Sequence, residues 1–256
     1  MRRAVLLLMA ALLIAAAPFD PFGAARIEEH PGAQVPMSLA LTDEAGASTT
    51  LARLGRGRPL LLVPVLHDCP NLCGVTLDGL AAAMRQARVD SGRDAAVIAF
   101  GIDPRETPAD ARGDLARLTG RHPELAGRIH ATIASDAAVH AITGPLGYHF
   151  AYDPRIGQVA HAAATAVLTA DGRLSRWLYG LAPEPADLTA ALAEARAGRT
   201  GGWTRRLILL CYHYDPATGR YGVAIDWLLR AGGLAVVVAL MLFIVLARRR
   251  EPVTRC

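Results

Sequence analysis

Hydrophobic positions recur along the chain with distinct periods, and those periods divide it into elements. "RPLLLVPVL" is an unbroken apolar run of strand length, the pattern of a strand buried on both faces; "AAVIAFGID" and "RIHATIA" repeat it. Between the first two runs, Leu77, Leu80, Ala81, Met84 and Ala87 recur at helical spacing. "TPADARGDLARLTG" predicts a helix with Thr107 as N-cap, Pro108 at the first helical position and Gly120 as its stop. "SDAAVHAITGPLG" predicts a short helix capped by Ser135 or Asp136, and "EPADLTAALAEARAG" an amphipathic one ending at Gly198. Two hairpins complete the pattern. "QVPMSLALTDEAGASTTLARL" alternates about Glu44-Ala45-Gly46, and "AATAVLTADGRLSRWLYG" turns at Asp171-Gly172.

Strand, helix, strand, helix, then hairpin and helix, is an α/β order with helices flanking a central sheet. It fits a thioredoxin-like fold. Two further apolar segments lie outside this region. In residues 1–17, Arg2 and Arg3 precede "AVLLLMAALLIAAA", the form of a signal peptide or N-terminal apolar segment. Near the other end, residues 227–247 are long and apolar enough for a transmembrane helix, with Trp227 at one boundary and Arg248, Arg249 and Arg250 at the other. The expected organisation is therefore a linker over 18–33, a thioredoxin-like domain over 34–198, a membrane-proximal segment over 199–226, one transmembrane helix over 227–247 and a cytoplasmic tail over 248–256.

All 27 basic residues are arginine, and the net charge is only +4. Apart from Arg248, Arg249 and Arg250, the arginines are interspersed with acids, which argues against a nucleic-acid partner. The chemistry concentrates in "CPNLC", where Cys69 and Cys73, two of four cysteines, follow the first apolar run and precede a predicted helix. Residues four apart in a first helical turn share a face, so the pair can form a disulfide. Backbone N–H groups at a helix N-terminus favour the thiolate, which is both the nucleophile and the soft metal ligand. A structural disulfide of this span constrains little of the unfolded chain. A redox pair and a metal site both remain open.

Four of the eight histidines bear on that choice. His161, in "QVAHAAATAVL", stands among small residues just before a predicted strand; His67 precedes Cys69 by two positions. His149, between Tyr148 and Phe150, reads as a packing residue. Cys211 and His213, in "CYHYDPATGRY", read as part of a membrane-proximal segment, and Cys256 follows the arginine cluster on the cytoplasmic side.

Together, "CPNLC", "GIDPRETPAD", "AHAAATAVLTADG" and the tail "LLCYHYDPATGRY" before an apolar span resemble the Sco (SenC) family of copper-delivery proteins, in a bacterial subgroup with a C-terminal membrane anchor. The resemblance covers about residues 32–197. It implies a thioredoxin fold that binds copper, Cu(I) before Cu(II), through Cys69, Cys73 and His161. It further implies a partner in the copper subunit of cytochrome c oxidase or in another copper chaperone, at the bacterial inner (cytoplasmic) membrane with the soluble domain in the periplasm. The sequence departs from the family pattern at Gly74, where Pro is usual, and at Ala160, where an Asp often precedes the histidine. His67 and Asp68 replace neutral or basic residues, and His67 is expected to offer a supplementary or alternative ligand. The rival reading is a thiol–disulfide oxidoreductase in which Cys69 attacks a target and Cys73 resolves the mixed disulfide, with no need of His161. A peroxide-reducing enzyme ranks below both, because the Thr-x-x-Cys arrangement is absent.

Overall fold

The structure is a computed structural model, and it describes residues 25–68, 73–153, 158–201, 214–215, 220–221, 232–234, 236–237 and 241. Its first unit, to Thr200, is built on a seven-stranded sheet of order β2-β1-β5-β4-β3-β8-β9. The strands are β1 (Leu41–Asp43), β2 (Ser48–Thr49), β3 (Leu60–Val65), β4 (Ala96–Gly101), β5 (Ile129–Ile133), β8 (Ala164–Leu168) and β9 (Leu174–Tyr179). A separate antiparallel ribbon pairs β6 (Phe150–Asp153) with β7 (Gln158–His161). The helices are α1 (Leu51–Gly55), α2 (Cys73–Ala87), α3 (Pro108–Arg121), α4 (Asp136–Thr143) and α5 (Pro185–Arg196).

The three apolar runs become the parallel centre of the sheet: β3 pairs with β4, and β4 with β5. Alternate side chains of a strand face opposite sides. Leu61, Val63 and Val65 join Leu77, Leu80 and Met84 of α2, Leu118 of α3 and Leu188 and Leu192 of α5 in one core cluster. Leu60, facing the other way, meets α1 at Gly55. Both layers are closed, so all six residues of β3 are buried, and each fully buried Leu contributes about 1.5–3 kcal/mol.

Local signals set the element ends. Thr107 caps α3 through a capping box with Asp110, with Pro108 at the first position. The hydroxyl of Ser135 caps α4. Gly172 takes φ of 88° in the β8–β9 turn. Two boundaries differ from expectation. The first hairpin stops at Thr49, because Thr50 turns its hydroxyl to the Arg53 N–H and caps α1 instead. Helix α3 runs through Gly120 to Arg121, since the His122 N–H still bonds the Leu118 carbonyl.

Helix α2 is fixed at one close approach. A Cβ placed on Gly79 would lie 2.1 Å from the Leu181 carbonyl oxygen and 2.8 Å from Ala182. Gly79→Ala therefore pushes α2 off its seat, with an expected loss of about 1–3 kcal/mol in unfolding free energy by denaturant titration.

In the second unit, from Gly201, β10 (Tyr214–Asp215) pairs antiparallel with β11 (Arg220–Tyr221), and residues 232–234, 236–237 and 241 are helical. Among the described residues no helix is long and apolar enough to cross a membrane. The segment expected over 1–17, most of the span expected over 227–247, Cys211, His213 and Cys256 lie outside the described residues.

Candidate metal centre

Strand register decides which parts of the chain meet. β8 runs antiparallel to β3, with Leu62 opposite Ala166 and Leu60 opposite Leu168. The beginning of β8 therefore lies at the end of the sheet where β3 finishes. There β3 continues through Leu66, His67 and Asp68 into "CPNLC", and the residues just before β8 include His161, the last of β7. Leu66, Asp68 and Val159 of β7 line one cleft with Asp103, Glu106 and Asp110. Ligand sites of open α/β sheets collect at the carboxyl ends of parallel strands, as here beyond β3 and β4.

Cys73 is the first residue of α2 as described, and residues 69–72 and the Cys73 side chain lie outside the description. The first turn of α2 carries no acidic residue. Arg121 approaches this turn: a Cβ on Gly74 would lie 3.6 Å from its guanidinium nitrogen. Among the described residues, no three His, Cys, Asp or Glu side chains cluster so as to hold a metal ion.

His161 is half-buried, and burial lowers its pKa, outweighing the opposing hydrogen bond at the Ala162 carbonyl. At neutral pH the ring is therefore the neutral imidazole that metals take. Its Nδ1 lies 3.0 Å from the hydroxyl of Tyr148, which donates to the Ala162 carbonyl at 2.6 Å. Tyr148 is 2% exposed and stacks on Trp177 with ring centroids 5.5 Å apart. Sequence reasoning missed this residue. It sits thirteen positions from His161, and only the β6–β7 ribbon, which the pattern of "HFAYDPRIGQVAH" did not reveal, folds the two together.

His67 is corrected by the structure. Expected as a supplementary or alternative ligand, the residue is instead 1% exposed, with its ring committed at both nitrogens. Nδ1 lies 3.0 Å from Asp114 Oδ2, and Nε2 lies 3.1 Å from the Thr132 carbonyl. Both partners are acceptors, so both nitrogens donate and the ring is an imidazolium, which offers no lone pair. Burial opposes that charge, but the Asp114 bond, the nearby Glu106 carboxylate and the Thr132 carbonyl together raise the pKa.

The rest of the cluster holds the main chain at the entrance to the cysteine loop. Arg117 donates to the His67 carbonyl at 2.8 Å, and Glu106 Oε1 accepts from the Asp68 N–H at 3.0 Å. Burial raises the pKa of Glu106 against the pull of the Asp68 N–H and of His67. Gly101 beneath them leaves no room for a side chain, since a Cβ would lie 2.9 Å from the Thr132 carbonyl oxygen and 3.0 Å from both His67 Cδ2 and Glu106 Oε2. Nearby, Arg105 forks onto Asp103 and holds its carboxyl below the usual range. Arg105 also lies 5.0 Å over the Tyr152 ring of β6, tying the loop after β4 to the ribbon that carries His161.

A central mixed sheet flanked by helices, with Cys73 opening α2 after β3 and His161 closing the ribbon that precedes the β8–β9 hairpin, defines a thioredoxin-like α/β protein. The chain belongs to the SCO1/SenC family, whose sequence profile matches residues 28–196. Among solved structures it is similar to a protein of Aquifex aeolicus VF5 assigned provisionally to electron transfer, at 22% identity and TM-score 0.58, covering 66% of this chain and 96% of that one. It is similar to Arabidopsis thaliana ScoI with copper bound, at 18% identity and TM-score 0.51, covering 66% and 98%. It is also similar to BsSco, a member of the Sco family of cytochrome c oxidase assembly proteins in which a disulfide switch was identified, at 16% identity and TM-score 0.52, covering 66% and 96%. These likenesses establish the fold. No curated protein sequence matches the chain.

Proposed function

We propose that this protein is a copper metallochaperone, with Cys69, Cys73 and His161 as the ligands and copper as its cargo. The observation that carries the reading is the β3–β8 register, which puts the chain from His161 into β8 at the end of the sheet where β3 leaves for the cysteine pair. The donor chemistry fits. Two thiolates and one neutral imidazole form a soft set suited to Cu(I), and the imidazole also accepts Cu(II). With three ligands the site holds copper while leaving a coordination position through which a partner's ligand can enter. Cys69 and Cys73 cycle between dithiol and disulfide by exchange with the thiol–disulfide pair of a redox partner protein, whose disulfide takes up the two electrons and two protons they lose, and only the dithiol offers thiolates. Support for copper as cargo comes from Arabidopsis thaliana ScoI, which holds it, and support for the disulfide cycle from the switch identified in BsSco.

The partner in this reading is the copper subunit of cytochrome c oxidase or another copper chaperone, in line with the assembly role of the family to which BsSco belongs. The apolar span over 227–247 anchors the chain in the inner membrane, with the thioredoxin-like domain on the periplasmic side.

The test is anaerobic titration of the intact, reduced, detergent-solubilised chain with Cu(I) against a competing chelator, alongside His161→Ala. One-to-one binding, weakened on the order of 10–100-fold in the variant, is the expected result, a loss of about 1.4–2.8 kcal/mol. Binding indifferent to His161 overturns the reading and leaves a dithiol reductase.

A further inference from the structure

We propose that Arg121 of α3 is the charge-compensating residue of the cysteine loop, its guanidinium held beside the first turn of α2, where it offsets the negative charge of the paired thiolates. The inference rests on the copper reading for its consequence in metal binding, though not for its action on the thiols.

Helix α3 meets the loop at both ends. Arg117 donates to the carbonyl of His67, two residues before Cys69, at 2.8 Å. One turn on, Arg121 reaches α2, where its outer guanidinium nitrogen stands 3.6 Å from a Cβ placed on Gly74, the residue after Cys73. Adjacent Cα atoms are about 3.8 Å apart, which puts that nitrogen within about 9 Å of the Cys73 Cα. That is inside the screening length of about 10 Å at 0.1 M salt, so the charge is felt at the loop.

The guanidinium is oriented as well as near. Its Nε donates to Asp78 Oδ1 at 2.9 Å, and His122 Nε2 lies 3.1 Å from the same oxygen. Asp78 stands one helical turn beyond Gly74 on α2. The Arg121–Asp78 pair is therefore a dipole whose positive end faces the cysteine end of the helix. Its base is firm, since Leu118 of α3 is 1% exposed in the core.

The loop has negative charge to offset. Two thiolates, a neutral imidazole and Cu(I) together carry a single net negative charge. The cleft at the entrance to the loop adds Asp68, Asp103, Glu106 and Asp110, and Arg105 there is taken up by Asp103. The backbone N–H groups that open α2 supply part of the compensation, and Arg121 supplies a full charge beside them. A plain surface bridge between α2 and α3 is the competing account. The two side chains are 48% and 30% exposed, and such a bridge would contribute little beyond fastening the helices.

The experiment uses Arg121→Gln, which can still donate to Asp78, and Arg121→Lys, which keeps the charge. The intact chain, reduced, metal-free and in detergent, reacts with an anionic methanethiosulfonate (sulfonatoethyl) and with its cationic counterpart (trimethylammonioethyl). Labelling of the peptide that holds Cys69 and Cys73 is followed by mass spectrometry. The ratio of anionic to cationic rates reads the local potential, whereas a change of packing or exposure moves both rates alike. The ratio is expected to fall about threefold in Arg121→Gln, to stay near wild type in Arg121→Lys, and to lose its dependence on Arg121 at 1 M salt, where the screening length is about 3 Å. Cu(I) affinity should fall about two- to fivefold in Arg121→Gln and recover in Arg121→Lys. A ratio unchanged by Arg121→Gln, or lowered equally by both substitutions, overturns the proposal whatever copper does. A lowered ratio in a chain whose Cu(I) binding ignores His161 instead overturns the copper reading and leaves the role of Arg121 at the thiols standing.

Discussion

Asp114→Ala is expected to lower the unfolding free energy by about 3–5 kcal/mol, the cost of stranding one member of a buried ion pair. The His67 side chain is 0% exposed, and that of Asp114 is 8% exposed. With the carboxylate gone, the imidazolium has only the Thr132 carbonyl and the Glu106 carboxylate to oppose its desolvation. Shedding a proton is no escape. A bare Nε2 would face the Thr132 oxygen lone pair to lone pair, and a bare Nδ1 would face an empty site. The loss has a defined pH dependence. Because the folded pKa of His67 lies above its unfolded value of about 6.5, the pair contributes its full stability below that value. The contribution fades as pH rises through the folded pKa. Wild type should therefore exceed the variant most between about pH 5 and 6.5, and the gap should narrow in alkali. Denaturant titrations at three pH values check this. The double variant His67→Ala/Asp114→Ala should lose less than the sum of the single losses, because the two groups share one interaction. A gap under about 1 kcal/mol at pH 6 would mean the ring is neutral there.

This pair also shows where the sequence stops being legible. The main strands and the helices are written locally. β3 is an uninterrupted apolar run because both its faces are covered, and Thr107, Ser135 and Gly172 are caps or turn residues whose chemistry acts within a few positions. His67 looked like a ligand because it neighbours Cys69 in sequence. Its fate was decided by residues 47 and 65 positions away, Asp114 on α3 and Thr132 on β5, through a parallel pairing that no local pattern encodes. The partner of His161 was hidden for a related reason. Tyr148 entered only as a neighbour of His149 in sequence, and its place is set by a stack on Trp177, with its hydroxyl 3.0 Å from His161 Nδ1. Thr50 illustrates the smaller kind of miss: the β-rich run "STTLARL" ends in a helix because one hydroxyl finds the Arg53 N–H. Periodicity identifies which residues are inside, whereas register identifies which polar groups meet there.

Cys73→Ser should abolish useful Cu(I) binding, with a fall on the order of 10³-fold, or about 4 kcal/mol at 1.4 kcal/mol per decade; Cys69→Ser should match it. A serine hydroxyl is not ionised at neutral pH and is a hard donor, so each substitution removes both a negative charge and the soft sulfur that selects Cu(I). The diagnostic is the order of the losses. Either cysteine should cost most and His161→Ala less, because the variants remove in turn a charged soft ligand and a neutral one. A reductase would give a different order in assays of thiol exchange with a model disulfide. There, loss of the attacking cysteine stops turnover, loss of the resolving one traps the mixed disulfide, and His161→Ala changes neither. The two series can be measured on the same set of purified variants. The position of His161 in each then reports whether the histidine beside the entrance to the cysteine loop serves the metal or merely closes the fold.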